Sequence, residues 1–218
     1  MKLLVLVYLI AVVYSQSTVP GCCVPPQWEG LQGTIIGRVD GSGRQQVISE
    51  NVETFYDQTN NRMALNVATD FTGKMQYLRI IQLYSKKIQY VIDLDTQTCK
   101  SNTLSGTFPP ICLPKDAMPE GPYYFGIGDT KLESISFRFN VSGANVTVSA
   151  LREGCIPILE NIVTSGQGIA QMQTTGFVNL SPGISQPSMF DVPDICNQAK
   201  DLGLEASRIY QRKWFPFS

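Results

Sequence analysis

Beyond residue 20 the chain alternates apolar and polar positions in short runs. The cleanest run has Ile135, Phe137, Phe139 and Val141 interleaved with Ser134, Ser136, Arg138 and Asn140. Successive side chains of a strand point to opposite faces, so this pattern predicts an antiparallel strand with one face in a core and one in water. Ser142-Gly143-Ala144 turns the chain into Asn145 to Leu151, where Val146, Val148 and Ala150 continue one face. The same signals predict strands at Leu31 to Arg38, Gln46 to Tyr56 and Arg62 to Thr69, separated by the turns Asp40-Gly41-Ser42-Gly43 and Asp57 to Asn61. Cys155 to Val163 and Ile169 to Leu180 add two more.

Met75 to Tyr84 and Ile88 to Leu94 form the strongest hairpin, joined by Ser85-Lys86-Lys87. Here both faces are apolar: Tyr77, Ile81 and Leu83 on one, Leu78, Ile80 and Tyr84 on the other. Such a strand is covered twice, either by protein on both sides or by core on one side and a ligand or partner on the other.

Residues 101–122 break the pattern with five prolines, Pro109, Pro110, Pro114, Pro119 and Pro122. Proline removes ladder donors, so a long surface loop staked by Cys99 and Cys112 is expected. A second Pro-rich loop is expected from Ser181 to Pro193. Only the end reads as a helix: Asp194 can cap it, and Ile195, Ala199, Leu202 and Ile209 fall near one face, with Gly203 weakening it. The expected fold is mainly all-β, about ten strands with a short C-terminal helix, whose sheets must close or stack to bury their apolar faces.

The N-terminus reads as a signal peptide. Lys2 precedes an 11-residue apolar run, Leu3 to Val13, and Val13-Tyr14-Ser15 offers cleavage after Ser15. Residues 1–15 are thus expected to be removed, leaving 16–218 as one domain, core 22–196 and C-terminal helix and tail 194–218, on the secretory route. The run is short for a membrane span, and no later segment reaches that length, so no transmembrane segment is expected. On that route six cysteines, Cys22, Cys23, Cys99, Cys112, Cys155 and Cys196, favour three disulfides over metal ligation. Six cysteines allow about 15 connectivities, and a free or interchain cysteine stays open. Adjacent Cys22 and Cys23 must reach different parts of the fold. Sequons at Asn140, Asn145 and Asn179 predict N-glycosylation, with Pro182 placed to reduce use of the third.

Composition narrows the chemistry. The chain has no histidine, which excludes Ser-His-Asp and Cys-His catalysis and His-ligated zinc. Lys and Arg number 17 against 18 Asp and Glu, so no basic surface for nucleic acid is expected. Asp93 and Asp95 point the same way at a strand end and could do acid–base work, bind calcium or solvate a turn. There is no EF-hand loop. Gly126-Ile127-Gly128 opens no helix, and Lys86-Lys87 and Arg212-Lys213 are isolated pairs. Trp214, Phe215 and Phe217 form an apolar tail. No catalytic constellation emerges.

Several motifs in order resemble one family. They are Cys22-Cys-Val-Pro-Pro-Gln-Trp28-Glu-Gly30, Leu83-Tyr84 through Tyr90-Val-Ile-Asp93, and Cys99-Lys100. Leu113-Pro-Lys-Asp-Ala117, Gly154-Cys-Ile-Pro157 and Pro187-Ser-Met-Phe190-Asp-Val-Pro193-Asp-Ile-Cys196 follow. Over residues 22–196 the set is similar to the ependymin family, close to its ependymin-related branch. The resemblance implies a fold like the bacterial lipoprotein carriers LolA and LppX: two stacked antiparallel sheets enclosing an apolar pocket. It implies secreted or lysosomal glycoproteins, commonly homodimers, associated with lipid or ganglioside binding, calcium and cell–matrix adhesion. Molluscan relatives occur in mantle secretions and shell. Carried over by position, it implies bridges Cys22–Cys155 and Cys99–Cys196, which leaves Cys23 and Cys112 for each other. Candidate pocket walls come from the two-faced strands: Leu78, Ile80, Tyr84, Tyr90, Ile92, Phe137 and Phe139. The function expected is binding of an amphipathic lipid between the sheets, where each buried CH₂ is worth about 0.8 kcal/mol, with no catalysis and no cofactor beyond calcium. The alternative is a calcium-associated matrix or adhesion protein without a ligand.

Overall fold

The computed structural model describes residues 21–201 except 72 and 167. The expected signal peptide, most of the expected C-terminal helix and the aromatic tail lie outside the described residues. Strands β1 (Gln27–Val39), β2 (Gln45–Asp57), β3 (Arg62–Phe71), β4 (Lys74–Leu83), β5 (Ile88–Asp93) and β6 (Thr98–Thr103) make the first half. Then come β7 (Met118–Phe125), β8 (Leu132–Val141), β9 (Ala144–Leu151), β10 (Pro157–Gly166), β11 (Ile169–Pro182) and β12 (Lys200–Asp201). All twelve join in one sheet, in the order β12-β6-β5-β4-β3-β2-β1-β11-β10-β9-β8-β7. The pairs are antiparallel except β12 with β6.

The two layers are wings of this one sheet. A single core cluster takes in Val52, Leu65, Ile80 and Val91 of β2–β5 together with Phe137, Phe139 and Val148 of β8 and β9. In a flat sheet β2 and β9 would stand about 19 Å apart, four strand spacings. The sheet folds over between them, through β1, β11 and β10, so that the wings share one core.

Residues 101–122 differ from the expected loop. Their ends belong to β6 and β7. β7 accommodates Pro119 and Pro122 because among the described residues it is the edge of the sheet, with a ladder on one side only, and its register slips between Glu120 and Tyr123. Residues 104–117 pack down on the core. Leu104 and Leu113 are buried, and the Phe108 ring lies 4.9 Å from both Tyr56 and Tyr84. The Tyr56 hydroxyl donates to the Pro109 carbonyl at 2.8 Å.

Three disulfides fasten the chain: Cys22–Cys155, Cys23–Cys112 and Cys99–Cys196. The neighbouring Cys22 and Cys23 thereby reach the β9–β10 loop and the 104–117 segment.

After β11 the chain crosses the outer face of β2–β5 as a strap containing the 3-10 turns Pro187–Phe190 and Asp194–Cys196. The second turn begins where the helix is expected. Met189 and Phe190 cover Phe55 and Ala64, while Val192 and Cys196 cover Ile81 and Ile92. The lower part of the β4–β5 hairpin is thus covered by protein on both faces. Glu29 accepts from the Ser185 amide at 2.9 Å and its hydroxyl at 2.6 Å. The Arg62 guanidinium lies 4.1 Å from the centre of the Phe190 ring and donates to the buried Asp57 at 2.7 Å. Burial pushes the Asp57 carboxyl up, but hydrogen bonds from Asn60, Gln27 and Arg62 outweigh it and hold the group below the usual range.

Candidate functional site

Where the sheet folds over, its polarity is reversed. On β1 the core face carries Gln32 and Thr34, both 2% exposed, while Leu31 and Ile35 face out at 40% and 58%. Directly paired residues extend the core-face row from Thr69 through Glu50, Thr34 and Thr175 to Glu160. The Thr34 and Thr175 hydroxyls bond to each other at 3.0 Å. Burial raises the Glu160 carboxyl to about 8, so it keeps its proton at neutral pH. On the other face Val47, Met172 and Val178 are all more than half exposed. Antiparallel sheets ordinarily place apolar side chains toward the core, and a run of exposed ones marks a binding surface.

A trough crosses this outer face. Its floor is a register row of mostly small residues, Gly176, Gly33, Asn51 and Ala68, ending at Tyr77. A Cβ at Gly33 would approach only the Asn51 side chain, at 3.8 Å, and one at Gly176 only the Gly33 carbonyl, at 4.0 Å. These glycines therefore leave open space rather than relieve a clash. The trough has a volume of about 490 Å³, with Leu31, Val178, Tyr77 and Leu94 among its walls. That lies in the range of ligand pockets, ~300–1,000 Å³.

One edge is polar. Glu53, Asn66 and Arg79 are directly paired on β2, β3 and β4. Asn66 Nδ2 donates to Glu53 Oε2 at 2.8 Å, and Arg79 Nε donates to Asn66 Oδ1 at 3.3 Å. Arg79 Nη2 also reaches the Met189 sulfur of the strap at 3.3 Å. An amphipathic molecule thus meets an apolar floor and a charged margin.

The seven candidate wall residues do not share one cavity. Leu78 borders both core and trough. Ile80, Phe137 and Phe139 lie in the packed core. Tyr84 meets Phe108 edge-on, and burial pushes its phenol up to about 12. Tyr90 and Ile92 face the strap beside Cys99 and Cys196. Sequence reasoning did not single out Leu31, Gly33, Gly176 and Val178 as site residues. The available signal was a glycine inside each of two strand patterns, which marks a side chain left out on purpose.

Asn140 and Asn145 are exposed and face each other in register, and Asn179 is exposed next to Val178. Asp93 serves its turn: the Thr96 amide above all, with Gln76 and the Asp95 amide, holds its carboxyl below the usual range. Among the described residues no group of three or more His, Cys, Asp or Glu could hold a metal ion, so the calcium implied by the resemblance finds no support there. No helix among them is long and apolar enough to cross a membrane.

A family model described as Ependymin matches residues 72–196, more than half of the chain. Ependymin-related protein 1 of Haliotis asinina is 28% identical over 185 residues, covering 81% of this chain and 90% of that protein. Ependymin-related protein 2 of the same animal is 29% identical over 186 residues, covering 80% and 89%. Mammalian ependymin-related protein 1 of Mus musculus is 23% identical over 190 residues, covering 85% and 80%. Among solved structures, an uncharacterized conserved protein from Thermus thermophilus aligns with 83% of this chain and 91% of its own at TM-score 0.44 and 10% identity. A LolA superfamily protein from Nitrosomonas europaea aligns with 80% and 91% at TM-score 0.31 and 10% identity.

Proposed function

This chain belongs to the ependymin family, and on that premise we propose that it binds an amphipathic lipid or another hydrophobic ligand in the outer-face trough, without acting on it chemically. The observation that carries this reading is the glycine floor: Gly33 and Gly176 stand opposite each other, open above and flanked by exposed Leu31 and Val178. An acyl chain laid there removes its own CH₂ groups and these side chains from water, at roughly 25 cal/mol per Å² buried. In the same reading the protein enters the secretory route by residues 1–15, carries N-glycans at Asn140, Asn145 or Asn179, and works outside the cell or in the lysosomal lumen.

The test is lipid mass spectrometry on solvent extracts of protein purified from a secretory host, for the wild type and Gly33→Leu. The leucine fits an extended backbone and fills the trough. A stoichiometric lipid in the wild type that is missing from a folded Gly33→Leu is the expected result. A lipid-free wild type that also refuses both fluorescent fatty acids and fluorescent phosphatidylcholine contradicts the reading.

A second reading, a matrix partner or a second copy of the chain, draws on the edge strand β7, where Met118, Tyr123, Tyr124 and Phe125 are exposed. It predicts self-association or matrix binding that Tyr124→Asp weakens, as read by sedimentation and matrix co-precipitation.

A further inference from the structure

Two opposite charges lie along the polar edge without neutralising each other. Glu53 and Arg79 occupy one register row, two strands apart, so about 10 Å separates their backbones. Asn66 stands between them and uses both ends of its amide, donating to the carboxylate and accepting from the guanidinium. Among the described residues no ion pair joins Glu53 to Arg79. The Met189 contact holds the guanidinium from the strap side. Glu53 Oε1 and Arg79 Nη1 have no hydrogen-bond partner among the described residues. The carboxylates of Asp93 and Asp95, which flank Leu94 of the trough wall in the chain, are taken up by backbone amides of Thr96, Asp95 and Tyr77.

We propose that the trough selects lipids with a zwitterionic headgroup, Glu53 receiving the cation and Arg79 the anion. This rests on the reading of the trough as a lipid site and names its substrate class. A phosphocholine or phosphoethanolamine group carries an ammonium and a phosphate a few atoms apart, the same alternation that Asn66 imposes on the protein. Arg is suited to phosphate because its planar fork offers paired donors. Selectivity also has a repulsive side: an anionic headgroup brings its charge to Glu53, a cationic one to Arg79, and a neutral one gains from neither. The acyl chains then run toward Leu31 and Val178, which continue this row, beside the neighbouring row that holds the two glycines.

The test is calorimetric titration of the full glycosylated protein with four soluble probes: diheptanoyl phosphatidylcholine, diheptanoyl phosphatidylglycerol, dodecyltrimethylammonium and octyl maltoside. The wild type is expected to bind the phosphatidylcholine at least about tenfold more tightly than the other three, a gap of ~1.4 kcal/mol. Glu53→Gln is expected to narrow the gap to phosphatidylglycerol by strengthening the anionic lipid. Arg79→Gln is expected to narrow the gap to dodecyltrimethylammonium. Thermal melts of both variants check that they fold, and the Glu53 result stands alone if Arg79→Gln loosens the strap. Equal affinity for all four probes, lost in Gly33→Leu, overturns the headgroup proposal and leaves the trough standing. Binding unchanged by Gly33→Leu, or no binding at all, overturns the trough and the proposal with it.

Discussion

On β8 the apolar members of the alternation, Phe137 and Phe139, are buried, and Arg138 and Asn140 face water. On β1 the middle of the strand does the opposite: Gln32 and Thr34 are inside, and Leu31 and Ile35 are outside. The same inversion continues through β11, where Thr175 is buried and Val178 exposed, and β10, where Glu160 is buried and Val163 exposed. Both regions belong to one sheet, so the difference is not one of fold. The β8–β9 wing is built for stability. The β1–β11–β10 fold-over gives up burial of apolar surface and accepts polar groups in the core, at a cost the wings must offset. That cost is held down by local pairing, Thr34 to Thr175, and by Glu160 keeping its proton. What the inversion leaves is an apolar outer face with a trough in it.

The largest expected effect sets the two regions apart. Phe137→Ala should destabilise the protein by about 3–5 kcal/mol in urea unfolding, because it empties a packed site in the core shared by both wings. Loss below about 1 kcal/mol would mean that the wings do not share a core.

Next in size is the response to pH. The Glu160 carboxyl titrates near 4.5 when the chain is unfolded and near 8 when folded. Between these values the folded chain holds a proton that the unfolded chain has released. The stability linked to this group is therefore complete below about 4.5 and is lost as pH rises toward about 8. The change is on the order of a few kcal/mol. Glu160→Gln should flatten that part of the profile, as measured by unfolding across the range, and an unaltered slope would remove Glu160 as its source.

A smaller effect tests the hydroxyl pair. Thr34→Val should cost about 1 kcal/mol by removing one partner of the Thr175 hydroxyl, which still accepts from Gln173 Nε2 at 3.3 Å, and Thr34→Val with Thr175→Val should cost less than the two single changes together. A double variant as unstable as the sum of the singles would show that the two hydroxyls act independently. The smallest effect belongs to the outer face. Val178→Ser should shift stability by less than ~0.5 kcal/mol while weakening ligand retention, because its side chain lines the trough and is already largely in water.

Much of the fold was legible in the sequence, and the reasons are local. The β8–β9 hairpin was readable because alternation and Ser142-Gly143 agree. β7 was not, because Pro119 and Pro122 argue against a strand unless it is known to lie at an edge, and edge position is a property of the whole sheet. The packing of 104–117 on Tyr56 and Tyr84 was equally hidden, since nothing in a proline-rich stretch announces a core contact. The cysteine count pointed to three bridges, and the order of motifs, rather than spacing, singled out partners. The trough was the hardest part. Alternation separates two faces without saying which is inside, and the ordinary assumption fails on β1, where Leu31 and Ile35 face out. Gly33 and Gly176 were visible as glycines in strands, but their pairing required the β1–β11 register.

The claim that the outer face of the fold-over is the ligand face can be tested by where a ligand touches. A phosphatidylcholine with a diazirine near the end of an acyl chain, bound to the protein, irradiated and mapped by peptide mass spectrometry, should label Leu31, Tyr77, Leu94 or Val178. Labels on Phe137, Phe139 or Val148 instead would place the ligand in the core between the wings and contradict the account.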